Sequence, residues 1–177
     1  MMSPGAICRR AVRDRLADPV TGWNALIRAI AEEHGAPSTL ALDFGATGNV
    51  ESALRNPDDV DTHPTPSNLI LSIGVQRIEE QSKQSFVTFS GIVEVVLQFL
   101  YRYEAGEDYQ FDALVESTEF AADAIEECAL RVLNSPGLFY PNITPRRTFT
   151  CERGPVEPLQ TGIRKPLLIQ LQFEVTL

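Results

Sequence analysis

Gln84-Ser-Phe-Val-Thr-Phe-Ser-Gly-Ile-Val-Glu-Val-Val-Leu-Gln-Phe-Leu-Tyr-Arg-Tyr103 is the stretch on which the fold turns. Alternate residues Val87, Phe89, Gly91, Val93, Val95, Leu97, Phe99, Tyr101 and Tyr103 carry no charge. The intervening set, Phe86, Thr88, Ser90, Ile92, Glu94, Val96, Gln98, Leu100 and Arg102, is half polar. A period of two predicts a strand with one face turned to a core. At ~3.3 Å per residue it would reach on the order of 60 Å, far past the usual strand of roughly five or six residues. Either a bulge divides it, or part of it projects to meet another chain. The stretch points to assembly, and no catalytic constellation accompanies it.

Upstream, Leu69, Leu71, Ile73 and Val75 alternate as far as Ile78. The polar run Glu79–Gln84 then reads as the tip of a β-hairpin. Downstream, Ala105-Gly-Glu-Asp108 breaks the strand and a helix is predicted over 111–134. Phe111, Leu114, Val115, Thr118, Ala121, Ala122, Ile125, Cys128, Ala129, Val132 and Leu133 share an arc of about 140° at 100° per residue. Asp112, Glu116, Glu119, Asp123, Glu126 and Glu127 fill the opposite face. Ser135-Pro-Gly137 stops the helix, and 138–147 reads as irregular. Arg146–Val156 suits a further strand, and Leu167, Ile169, Leu171, Phe173, Val175 and Leu177 mark a last one.

Ahead of the hairpin, Ser3-Pro4 supplies the N-cap and first-turn residues of a helix with apolar Ile7, Ala11, Val12 and Leu16. Arg9, Arg10, Arg13 and Arg15 fall largely off that stripe, and Asp18-Pro19 ends it. A second helix runs from Trp23 to His34, with Gly35 as its C-cap. Residues 36–67 are rich in proline and aspartate, and only Leu40–Phe44 suits a short strand. So long a loop, like the 79–84 tip, is expected to order against a partner. The chain is expected to be one domain: helices at 1–35, a loop at 36–67 and a core at 68–177. The class is α+β, an antiparallel sheet with a long β-hairpin and helices packed on one face.

Composition narrows the functional classes. A chain of 177 residues buries a real core. Its longest apolar run, Ile92–Leu100, holds Glu94 and Gln98, so no membrane span is expected. The arginines near the N-terminus are followed by no apolar segment, which argues against a signal peptide. Cys8, Cys128 and Cys151 lack metal or redox spacing and read as free thiols in a reducing compartment. A net charge of −9 disfavours binding to nucleic acid irrespective of sequence.

Chemistry-bearing clusters are few. Asp58, Asp59, Asp61 and His63 offer ligands for a divalent cation, but lack the glycine and terminal glutamate of a calcium loop. They read as a solvated acidic loop. Ser, Cys and His occur in no nucleophile context, and no glycine loop cradles phosphate, so no cofactor, metal or catalytic residue is assigned. What remains is separation of charge. Arg9, Arg10 and Arg13 cluster near the N-terminus; Arg146, Arg147, Arg153, Arg164 and Lys165 are expected in the loops flanking the C-terminal strands. Acid gathers on the helix, including Glu116, Glu119 and Asp123. Such separation suits head-to-tail association, and Arg9, Arg10, Arg13, Glu116, Glu119, Asp123, Arg146 and Arg147 are the candidate assembly contacts.

Ala11-Val-Arg-Asp-Arg-Leu-Ala-Asp-Pro19 running into Gly22-Trp-Asn-Ala-Leu-Ile-Arg-Ala-Ile-Ala31 resembles small structural proteins of tailed bacteriophages. The later order of hairpin, amphipathic helix and final strand is similar to that of tail terminator (tail completion) and related neck proteins. The resemblance implies a non-enzymatic virion subunit forming a ring, commonly a hexamer. Such a ring caps the tail tube and meets the head connector, and DNA passes through it. The loop at 36–67 and the two leading helices exceed the minimal core of that family. A head–tail adaptor or stopper is the neighbouring reading. A small-molecule-binding or enzymatic α+β domain is the reading from another class, and a pocket with convergent, pKa-perturbed groups would mark it.

Overall fold

The computed structural model describes residues 2–36, 40–54, 68–81, 89–134 and 140–177, and at 147–149 the backbone alone. Its centre is β3 (Ser90–Glu104). Val93, Val95, Leu97, Phe99 and Tyr101 on one face of that strand are each 0% exposed. β2 (Leu69–Glu80) pairs antiparallel along one side, from Leu69 opposite Tyr101 to Glu80 opposite Gly91. A register shift between Val75 and Arg77 inserts a bulge into this hairpin. β6 (Gly162–Thr176) pairs along the other side, from Glu104–Gly162 to Ser90–Thr176. β4 (Ile143–Arg153) and the short β5 (Glu157–Pro158) both pair with β6, and β1 (Val50–Glu51) lies parallel to β2. The six-stranded order is β1-β2-β3-β6-β4, with β5 beside β6.

Three helices cover the face that carries the odd-numbered β3 residues. α1 (Pro4–Leu16) starts where the Ser3 side chain accepts a hydrogen bond from the Ala6 amide. α2 (Trp23–His34) ends at Gly35, whose φ of 67° is the left-handed conformation a C-terminal glycine adopts without a Cβ penalty. α3 (Phe111–Leu133) buries the predicted stripe from Thr118 through Ala121, Ala122, Ile125, Cys128 and Ala129 to Val132 and Leu133. Its first turns do not follow: Phe111 is exposed and Leu114 and Val115 are half-buried, because the helix start runs past the covered part of the sheet. Small residues on α3 let it lie close to its neighbours. Trp23 from α2 stacks on Phe99 at 5.2 Å, and its Nε1 donates to the Leu40 carbonyl at 2.7 Å. The opposite face of the sheet has its own small apolar pair, Ile70 and Leu100.

The α+β architecture, the hairpin and the one-sided helices match the expectation. Several details differ. Glu79 and Glu80 belong to β2, opposite Ile92 and Gly91, rather than to a turn; backbone pairing ignores the polarity of an exposed strand end. Leu40–Phe44 is no strand. The Asn24 side chain holds the Leu42 backbone through both its donor and its acceptor, so the segment is clasped by α2 instead of by a ladder. The strand in this region is β1, and it makes the sheet mixed rather than wholly antiparallel. β4 begins at Ile143, inside the stretch expected to be irregular, and β6 begins five positions before Leu167, at Gly162. The 36–67 loop is described only at 36 and 40–54. Asp58, Asp59, Asp61 and His63, the tip beyond Gln81 and the stop at 135–137 lie outside the described residues.

Candidate functional site

α1 presents Arg9, Arg10 and Arg13 on the side facing the turn that carries β1. Arg9 donates from Nη1 to the Ser52 carbonyl at 2.5 Å, and its Nε is buried without an acceptor among the described residues. Arg13 donates from Nη2 to the Phe44 carbonyl at 2.5 Å, with its guanidinium 5.8 Å from the Phe44 ring centre. Arg10 lies outermost, 63% exposed, with Asp14 at 3.8 Å one turn on as its ion pair among the described residues, a contact of small value in water. Two adjoining hollows of about 360 and 280 Å³ share Ala6 and Arg9 and form a trench along this side. Met2, Leu54 and Ile78 line it together at 44%, 43% and 49% exposure. The sequence thus brings three arginines and three apolar side chains to one place.

Arg15, the fourth arginine of the cluster, is not on that surface. It is 3% exposed, donating from Nε to the Val132 carbonyl at 2.9 Å and from Nη1 to Thr21 Oγ1 at 2.7 Å. A cation at the C-terminal end of α3 satisfies a carbonyl that the helix leaves open and complements its dipole. The helical positions show it: Arg15 shares the stripe of Cys8, Ala11 and Val12.

The acidic face of α3 divides in two. Its middle is neutralised inside the molecule. Lys165 of β6, 4% exposed, donates to Glu119 at 2.5 Å. Arg153 of β4 donates from Nη1 to Asp123 at 2.7 Å and from Nε to Glu126 at 2.9 Å, and lies 3.7 Å from Glu119. Burial works against the Arg153 charge, but hydrogen bonds and the charges of Glu126 and Asp123 outweigh it and push its pKa up. Further along, Glu127 accepts from His34 at 2.5 Å and pairs with Arg131, tying α3 to the end of α2. The His34 hydrogen bond holds the Glu127 carboxyl below its ordinary range.

The start of α3 is different. Glu107, Asp108, Asp112 and Glu116 are exposed, and no cation among the described residues pairs with them. Phe111 stands among them, 37% exposed. The segment is held in place from below. Tyr109 donates to the Leu159 carbonyl at 2.7 Å, and the Ala105 and Gly106 amides bond the Thr161 carbonyl. Gly106, at φ 90°, makes that turn possible. Of the candidate contacts, Glu116 belongs to this open apron, whereas Glu119 and Asp123 serve the internal clamp.

Arg146 pairs with Glu174 on the neighbouring strand at 2.8 Å and remains exposed, away from the trench. The Arg147 side chain lies outside the described residues. The five cations that the sequence reading placed in loops all sit in strands, Arg146, Arg147 and Arg153 in β4 and Arg164 and Lys165 in β6. The signal for Lys165 was its parity, since it alternates with Leu167 and Ile169 on the buried face. Burial pushes the Cys8 and Cys128 thiols up to about 12 and Cys151 to about 11, and all three are free. Among the described residues no group of three or more His, Cys, Asp or Glu side chains is placed to hold a metal ion, and no helix is long and apolar enough to cross a membrane. No protein-family model matches the chain, and neither does any curated protein.

Proposed function

We propose that this chain is a non-enzymatic structural subunit of a tailed bacteriophage, associating head to tail into a closed ring that caps the tail tube and joins the head connector. The observation that carries the reading is the presence of two unlike surfaces on one chain. A trench holds three arginines and three exposed apolar side chains, and an acidic apron surrounds Phe111. Unlike surfaces on one subunit generate rings when the rotation closes. The resemblance of the leading helices and the hairpin–helix–strand order to tail terminator proteins supports the tail-end position, with the head–tail adaptor or stopper as the adjacent place in the same neck. The ring would be virion-resident, most simply of six subunits, with tail tube protein below it and DNA passing through it.

Electrostatics support this reading over a binding enzyme. The strongly perturbed described groups are buried thiols, a buried phenol and the Arg153 clamp, and none of them lines the trench. Negative-stain images of the purified chain, alone and mixed with tail tubes, test the proposal. Rings, and caps seated at tube ends, are expected; bare tube ends with monomeric protein would contradict it.

A further inference from the structure

We infer that the occupant of the α1 trench is the start of α3 in a second copy of this chain. Phe111 would seat against Met2, Leu54 and Ile78, and the carboxylates of Asp112 and Glu116 would meet Arg10 and the free donors of Arg9 and Arg13. The inference rests on the ring reading and names the two surfaces that would close it.

Chemistry selects the occupant. The trench offers guanidinium groups beside exposed apolar side chains, so its complement must be acidic and apolar at once. The apron is both: four exposed carboxylates without an internal cation among the described residues, arranged round a partly exposed phenylalanine. Polyanionic nucleic acid would meet the arginines but leave Met2, Leu54 and Ile78 in water, and the chain as a whole carries −9.

Position fits as well. The trench lies beside Gly74 and Ile78 at the β1–β2 edge of the sheet. The apron follows Glu104, where β3 ends opposite Gly162. Ile73 is opposite Leu97, so the two surfaces are separated along β3 by on the order of 20 Å. The apron follows the far end of β3 from the trench, which leaves both surfaces of one copy open to a neighbour. Both surfaces are preorganised: Arg9 and Arg13 are fixed on backbone carbonyls, and the apron is pinned by Tyr109. Little ordering entropy opposes their meeting.

The test uses Arg10→Glu and Glu116→Arg, both at exposed positions outside the core, so folding is preserved. Sedimentation is measured from micromolar to millimolar protein, with thermal melting as a control. Each variant alone should associate at least tenfold more weakly than the wild type. An equimolar mixture should recover association, because an intact apron then meets an intact trench at one contact and the two reversed charges attract each other at the next. If the wild type forms rings and either variant forms them equally well, or the mixture recovers nothing, this interface is wrong while the ring stands. If the wild type is monomeric throughout, the ring and the interface both fall. If Arg10→Glu lowers the melting temperature and leaves association unchanged, the trench is filled by the same chain. If it abolishes binding to a short DNA duplex and leaves association unchanged, the trench is a phosphate site; either result overturns the inference.

Discussion

Tyr101 is wholly buried in the middle of the sheet, and its hydroxyl finds no partner among the described residues. Burial, together with the neighbouring Tyr103, pushes its pKa far up, so the group is neutral at any physiological pH. A buried hydroxyl without a partner forfeits its hydration and gains nothing in exchange. Tyr101→Phe should therefore leave stability unchanged or raise it by up to ~1 kcal/mol, as read from urea denaturation. A loss of more than about 1 kcal/mol would mean the hydroxyl makes a bond this account lacks. The sequence reading placed Tyr101 on the core face from its parity alone. It could not see that the hydroxyl is unmatched, because that depends on which side chains from α3 and β6 arrive there.

At the scale of elements, α3 is held to the sheet by an asymmetric pair. Lys165 is almost fully buried, whereas the Glu119 side chain is 41% exposed and has Arg153 as a second cation. Removing the carboxylate strands a buried ammonium; removing the ammonium leaves a carboxylate that water and Arg153 still serve. Glu119→Ala should cost ~2 kcal/mol, and Lys165→Met should fall within ~1 kcal/mol of the wild type. Equal losses from the two changes would show that the charges matter only as a pair.

The α2–α3 junction adds a pH dependence. Glu127 has a folded pKa below its unfolded value, so its contribution is present above the ordinary carboxylate range, ~4.3, and is lost as pH falls through the folded pKa. Asp18, held down chiefly by the Thr21 and Val20 amides, has the same sign. Glu127→Gln should flatten the acid limb of the stability curve below about pH 4. An unchanged acid limb would remove Glu127 from that account.

Elements were legible where a period was long. α3 and the β2–β3 hairpin follow directly from periods of 3.6 and two. β1 and β5 were not legible, because two-residue strands carry no period and exist only through their neighbours. β4's start was hidden by Pro145 and by the register shift that follows it. Charge showed the same limit. Arg9, Arg10 and Arg13 could be read as one cluster, but the sequence could not divide the acidic face of α3 into a clamp and an open apron. That division is made by Arg153 and Lys165, which arrive from strands far along the chain.

At the scale of the whole molecule, much of the charge among the described residues is matched internally, and two groups that are not lie in the trench and the apron. The trench and the apron each carry apolar side chains that a lone subunit leaves in water. Solvated charge alone would explain the acids, but not the exposed Met2, Leu54, Ile78 and Phe111 beside them. A closed ring covers every copy of both surfaces at once and leaves no free end, as an open filament would.

The most direct measurement is the native mass of the purified 177-residue chain, 19.6 kDa per subunit, across a wide range of concentration. The account predicts one dominant closed species, most simply a sixfold multiple of the subunit, whose stoichiometry does not grow with concentration. A monomer at every concentration, or a ladder of species that lengthens without limit, would contradict it.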